Sequence, residues 1–543
     1  MRSLSFIFGF FLLSACGADK LMGGAGGSGG SGGAGGAGGG GTGGTGGTGG
    51  AGGGPWSDFP NPPIIDSGAP ANAGSLFGAG GAPSGGPCLF EPEPGTLFPQ
   101  NWLRPRFRWS ATSGQNLYEL RLHADNEIHD LVVYTTATGW TMPADMWRNL
   151  ALHIVDQPIT MTIRGAVFAG GQLSSPPALG SQGPMTVASV AASGSIVYWT
   201  PNGQGAFASE FRGFRVGDET TRDVLAPSQT GSQCVGCHSS TPDGTYVAFT
   251  MTPYPIGGQV VGTIGLRTVD GMATEPPFLT ASARALLGRQ YQEQPVFSHM
   301  HYGPGDRVTL TMMTIGGRSE IVWTNLEASG QSQGSDWGVL ARNGDPGQAV
   351  LPQFEHAGTQ VVYASASSVT LSVMINDGDI YTVPYNNRQG GSAQKLSGAS
   401  DPSYNEFYPV FSADDRLIVF DRVPVMQSSY NDAQSELFVV PAAGGTPVRL
   451  SANDPPACSG KHSPGVTNSW PKWSPEVRAA GGKIYYWLTF SSTRGEAGNP
   501  QLYVTAVTTD EQGIHSSPAL YLWNQPSDQN NHTPAWDVFN IVE

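Results

Sequence analysis

The sequence has 543 residues, enough for two or three domains with a large buried core. Charged residues make up only 13%, beside 77 glycines and 42 prolines, a composition that suits turn-rich β proteins and argues against a helical cytoplasmic enzyme. A net charge of −15 with no long Lys/Arg cluster excludes DNA, RNA and anionic lipid as charge-driven partners.

The chain opens with Arg2 and an apolar run over residues 4–13, too short for a permanent membrane span. It leads into Leu13, Ser14, Ala15 and Cys16, which resemble a bacterial lipobox. The resemblance implies a signal peptide over 1–15, a lipid on Cys16 and, with Gly17 next, sorting to the outer membrane. Residues 16–87 are expected to be an anchor and tether. The stretch 23–54 is almost pure Gly, Ala, Ser and Thr and cannot bury apolar area. A flexible chain up to Cys88 reaches about 45 Å. The GxSxG at 26–30 lies in this run, without the strand and helix that a nucleophile elbow needs.

Residues 88–190 alternate apolar and polar side chains around Phe107, Trp109, Tyr118, Leu120 and Leu122, and again over 131–134 and 159–163. This pattern resembles a fibronectin III/Ig-like β-sandwich. Trp140 and Trp147 are read as packing residues rather than a ligand patch.

The rest, 191–543, carries a repeat. Pro-x-(Phe/Trp)-(Ser/acidic) begins at Pro295, Pro352, Pro409, Pro471 and Pro534, with spacings of 57, 57, 62 and 63 residues. Four of the five are followed by strand-like runs. His238 lies another 57 residues before Pro295 and precedes a Pro-Asp-Gly turn at Asp243 and Gly244. The repeat resembles that of TolB-like proteins and implies an all-β fold with a six-bladed β-propeller. The sixth blade is expected to be composite, built from both ends of this region: an inner strand at 534–537 and outer strands at 196–200 and 207–216. Such closure leaves no free sheet edge.

Cys234, Cys237 and His238 form CxxCH, the pattern of c-type haem attachment, in which two thiols take the vinyl groups and the histidine takes the iron. The alternatives are a disulfide or free thiols, or a metal site, for which no second ligand pair is evident. The motif leads into a blade's inner strand, so it is expected on one face beside the central channel. There Met251 and His532 are the candidate sixth ligands of a haem c iron. The His299, Met300, His301 cluster falls in the turn beyond the next inner strand, on the opposite face. Cys88 and Cys458 remain, and the sequence leaves open whether they pair.

The TolB resemblance implies a binding module for a protein or ligand in the cell envelope, held to the membrane by lipid alone. Electron transfer through haem is the alternative. Enzymatic activity is the least favoured class, since no hydrolase elbow or acid cluster accompanies the propeller pattern.

Overall fold

A computed structural model describes residues 58–66, 68–112, 114–201, 209–232, 234–252, 262–369 and 374–541. The described residues before the repeat form two main sheets and a small hairpin, Phe168–Ala169 with Gln172–Leu173. In the larger, Leu131–Thr135, Leu117–His123, Pro158–Ala166 and Ala178–Val187 run side by side. Two-residue strands pair in parallel at its edges, Ile64–Ile65 on one side and Leu97–Phe98 on the other. The smaller sheet joins Cys88–Glu91, Arg106–Ser110 and Gly139–Thr141.

Two expectations need correction here. The tether does not run to residue 87. Ile64 aligns with Val133, the helix Ala73–Phe77 packs on Tyr134, and Ala82 bridges Ala178. Phe59, Ala73 and Phe77 are fully buried, and this apolar area holds a segment that reads as linker from its Gly and Pro content. The second correction is a helix, Ala144–His153, where only strands were expected. Trp147, Leu150, Ala151 and Ile154 recur at helical spacing and face the core. Trp147 also donates to the Trp102 carbonyl (2.9 Å), and Trp140 stacks on Phe107, so both tryptophans are packing residues.

From Ser195 onward, the described residues form six antiparallel sheets in succession. Their first strands are Cys234–Ser240, Gln292–Phe297, Gln348–Phe354, Tyr404–Phe411, Asn468–Trp473 and His532–Asp537. Each neighbours the next, and the last neighbours the first, so these inner strands close a ring around a channel. Sheets stacked in this way bury both faces of their middle strands. The middle strands therefore read as continuous apolar runs, as in Tyr246–Thr252 and Leu417–Pro424, rather than as alternating ones.

The sheet that closes the ring joins distant parts of the chain. His532–Asp537 pairs with Ser195–Pro201, followed outward by Ser209–Arg215 and Arg222–Leu225. Gly244, in the turn after the CxxCH strand, has φ +70° and lies so close to the Val538 carbonyl that a Cβ would clash. The Asn540 N–H donates to the Gly244 carbonyl at 2.9 Å, which fastens the C-terminal segment to the first complete sheet.

One hydrophobic core spans both halves of the molecule. Leu120, Ile163 and Trp102 of the first region pack in the same cluster as Tyr198, Trp487, Val504 and Trp536 of the ring. Trp102 and Trp536 lie 5.9 Å apart, and the Trp523 indole donates to the Arg104 carbonyl. A disulfide joins Cys88 to Cys458, with Cα atoms 5.6 Å apart and 370 residues between them in sequence. It answers the pairing question that the sequence left open.

Candidate functional site

Every inner strand carries the same local irregularity. Its register with the second strand slips by one residue, a β-bulge, and one residue there takes a left-handed conformation. The six are Cys237, Gln294, Leu351, Tyr408, Trp470 and Thr533, with φ between 33° and 58° and none of them glycine. Each directly precedes the repeat's proline or, in the first strand, His238, so His238 does occupy the proline position. Left-handed non-glycine residues cost on the order of 1–3 kcal/mol each and persist only where packing over-determines them. The bulges turn these six side chains toward one another around one mouth of the channel. Gln294 Nε2 donates to Cys237 Sγ at 3.1 Å, the Tyr408 and Trp470 rings lie 5.7 Å apart, and Trp470 lies 4.9 Å from the His532 ring.

Aromatic groups dominate this mouth. Trp199 meets His532 edge-on at 4.6 Å, and Tyr430 meets Trp470 edge-on at 5.6 Å. Val425 and the 71%-exposed Met426 extend an apolar rim on the loop that also carries Tyr430. The space open to water centres in this part of the channel is about 60 Å³, room for a few waters.

Two residues beyond each bulge, a second ring faces the channel: Ser239, Val296, Gln353, Val410, Lys472 and Ala535. Lys472 is its one charged member. Beyond this ring the channel becomes polar, lined by His299, Glu355, His356, Ser474 and Asp537. Burial pushes Lys472 down to about 8 and Asp537 up to about 6. His299 lies at this far end, as expected, stacked 5.6 Å from His356.

The CxxCH residues lie in the inner strand Cys234–Ser240, beside the channel, but they do not converge. The bulge at Cys237 breaks the strand's regular alternation, and the two sulfurs enter different surroundings. Cys234 is fully buried toward the ring-closing sheet, with Sγ 3.2 Å from Ser209 Oγ. Cys237 instead meets Gln294 across the channel and bears a free thiol, so the two cysteines do not pair with each other. Burial and the Glu293 carboxylate push that thiol well up, which keeps it protonated. The His238 Nε2 sits 3.0 Å from the Val197 carbonyl, with the ring against Phe211 at 4.3 Å. Burial lowers the imidazole to about 4, so it is neutral at pH 7.

A covalent haem needs both thiols and the histidine on one side of one macrocycle. A Cys234 sulfur already held in a disulfide and buried toward the ring-closing sheet, a Cys237 thiol turned to the channel mouth and a His238 Nε2 engaged with a carbonyl do not fit that group. Nor does Met251 serve as an axial ligand: it aligns with Val235 and packs against the cluster of Val235 and Phe249, away from the channel lining. His532 does share the channel mouth with His238, held there between Trp199 and Trp470. Among the described residues, no group of His, Cys, Asp and Glu is placed to hold a metal ion. Cys16 lies outside the described residues.

Sequence reading located the channel face but missed its main features, the aromatic mouth and Lys472. A signal for the lysine was present. At the position after each repeat proline or His238 stand Ser239, Val296, Gln353, Val410, Lys472 and Ala535, and one of the six is charged.

The sequence matches no family model and no curated protein. Among solved structures it is similar to a puromycin hydrolase, at 12% identity and a TM-score of 0.32, over 69% of this chain and 53% of that one. It is similar to a prolyl endopeptidase at 11% identity and a TM-score of 0.30, over 61% of this chain and 50% of the other. The periplasmic gluconolactonase of Pseudomonas aeruginosa shares 11% identity, with a TM-score of 0.28, over 62% of this chain and 99% of its own. The chain spans about half the length of the first two. The chain is all-β and propeller-like in its own topology, with the inner strands of its antiparallel sheets closing a ring.

Proposed function

We propose that this protein is a lipid-anchored binding module of the bacterial outer membrane. In this reading its six sheets are the blades of a TolB-like propeller, the two-sheet region before them is a sandwich-type spacer, and the aromatic channel mouth receives a partner protein in the envelope. The observation that carries the reading is the ring of six left-handed bulge residues. The fold repeats this strained backbone at the same position of all six inner strands, and there it lines one channel mouth with Tyr408, Trp470 and their aromatic neighbours. Aromatic groups of this kind supply a large contact area at small cost in side-chain entropy. The lipobox around Cys16 supports the anchor, and the acidic surface argues against nucleic acid. The reading makes no use of haem, which the placement of Cys234, Cys237 and His238 does not accommodate.

The test is site-specific photocross-linking in cells. A cross-linking residue at Met426, on the rim of the mouth, is expected to give a discrete adduct that Trp470→Ala weakens. The same residue at Met272, an exposed position in a turn at the other end of the first complete sheet, serves as the control. Equal adducts at both positions, or none at Met426, would overturn the reading. Thermal melts of the Trp470→Ala protein separate loss of binding from loss of folding.

A further inference from the structure

We infer that the channel takes an apolar group ending in a single carboxylate, with the Lys472 ammonium as its counter-charge. The inference rests on the binding reading above and names the chemistry of the same site.

The second channel ring presents one cation among small, apolar and amide side chains. Lys472 makes no hydrogen bond or ion pair among the described residues. Asp537 is the anionic group that acts on it, and it does so at a distance, while the Cys237 thiol nearby is protonated. Burial lowers its proton affinity but leaves it charged at neutral pH. A half-buried ammonium in a narrow channel is only partly hydrated, and a carboxylate arriving from the mouth gives it a charge-assisted hydrogen bond. Gln353 adds an amide N–H to the same ring. Above Lys472, Trp199, Tyr408, Trp470 and His532 form an apolar tube for the body of the ligand. A lone cation matches a monoanionic head, and the net charge of −15 disfavours polyanions. Two sources offer this chemistry: a free small carboxylic acid, or the C-terminal residue of a protein chain.

The test uses the full-length protein and its tryptophan fluorescence. Phenylacetate is expected to change the emission saturably, and neutral phenylacetamide to bind about tenfold more weakly, the difference one charge-assisted hydrogen bond makes. Lys472→Met should equalise the two probes. It should also melt no lower than the wild type, because it replaces an unpaired, half-buried charge with an apolar chain of similar length. Gly-Gly-Phe as free acid and as amide distinguishes the sources. Binding of the peptide acid assigns the site to chain ends, and binding of phenylacetate alone assigns it to small acids. If the wild type binds acid and amide alike, or Lys472→Met keeps the preference, this inference fails while the channel remains a binding site. If neither probe binds and the Met426 cross-link is also absent, the binding reading falls with it.

Discussion

The Cys88–Cys458 bridge ties the smaller N-terminal sheet to the loop before the inner strand Asn468–Trp473. It closes a loop of 370 residues. Chain-entropy arithmetic for a loop of that length removes about 20 cal/mol/K from the denatured ensemble, or about 6 kcal/mol at 25 °C. This is a ceiling, and the loss expected on removing a native bridge is about 2–5 kcal/mol. Cys88→Ser combined with Cys458→Ser should therefore lower the urea midpoint by that free energy. The variant should nevertheless keep one cooperative transition, because Trp102, Trp487 and Trp536 lie in a core common to both halves and neither half can melt without exposing the other. Unfolding followed by tryptophan fluorescence and far-UV circular dichroism under non-reducing conditions measures both quantities. An unchanged midpoint would refute the bridge. A separate early transition for the N-terminal sheets would refute the shared core.

Two further outcomes follow from the site's surroundings. Asp421 is fully buried and accepts hydrogen bonds from Ser469 and, at 3.4 Å, Ser435, and burial pushes its carboxyl far above the ordinary 3.8. The folded chain therefore holds a proton that the unfolded chain releases above 3.8, so this stabilisation is present in acid and is lost as pH rises. Asp421→Asn should gain stability relative to the wild type between pH 5 and pH 8 in paired urea titrations, and a constant difference would contradict the assignment. For the CxxCH motif, expression alongside periplasmic haem-attachment machinery should yield a colourless purified protein. A Soret band that survives denaturation would show that Cys234 and Cys237 can reach one macrocycle after all.

Much of the ring was legible because its period is long and its punctuation regular. The 57-residue spacing from His238 through Pro295 and Pro352 to Pro409 marks positions one residue after each bulge, and the composite sheet formed from both ends of the region follows from the same phase. The channel face of Cys237 was legible for that reason. The placement of the CxxCH residues departs from the haem pattern because a motif's chemistry depends on the backbone that carries it. On a helical turn, Cys234 and Cys237 would share a face, whereas in this bulged strand they enter different surroundings. Residues 58–87 were illegible because glycines and prolines mask the few anchors, Phe59, Ile64 and Phe77, that tie the segment to Tyr134 and its neighbours. The helix at Ala144–His153 had the right spacing at Trp147, Leu150 and Ala151, but it sat among strands whose alternation dominated the pattern. Lys472 stood in plain view within a repeat motif. Its importance depends on knowing which side of the strand looks inward.

The pairing of Ser195–Pro201 with His532–Asp537 has a consequence for biogenesis. A chain is made amino end first, so Ser195–Pro201 is present long before its partner strand exists. Throughout that interval the nascent ring is an open arc with an adhesive rim. The strand His532–Asp537 acts as a latch, and any protease or premature stop that removes it leaves a nearly full-sized protein unable to shut.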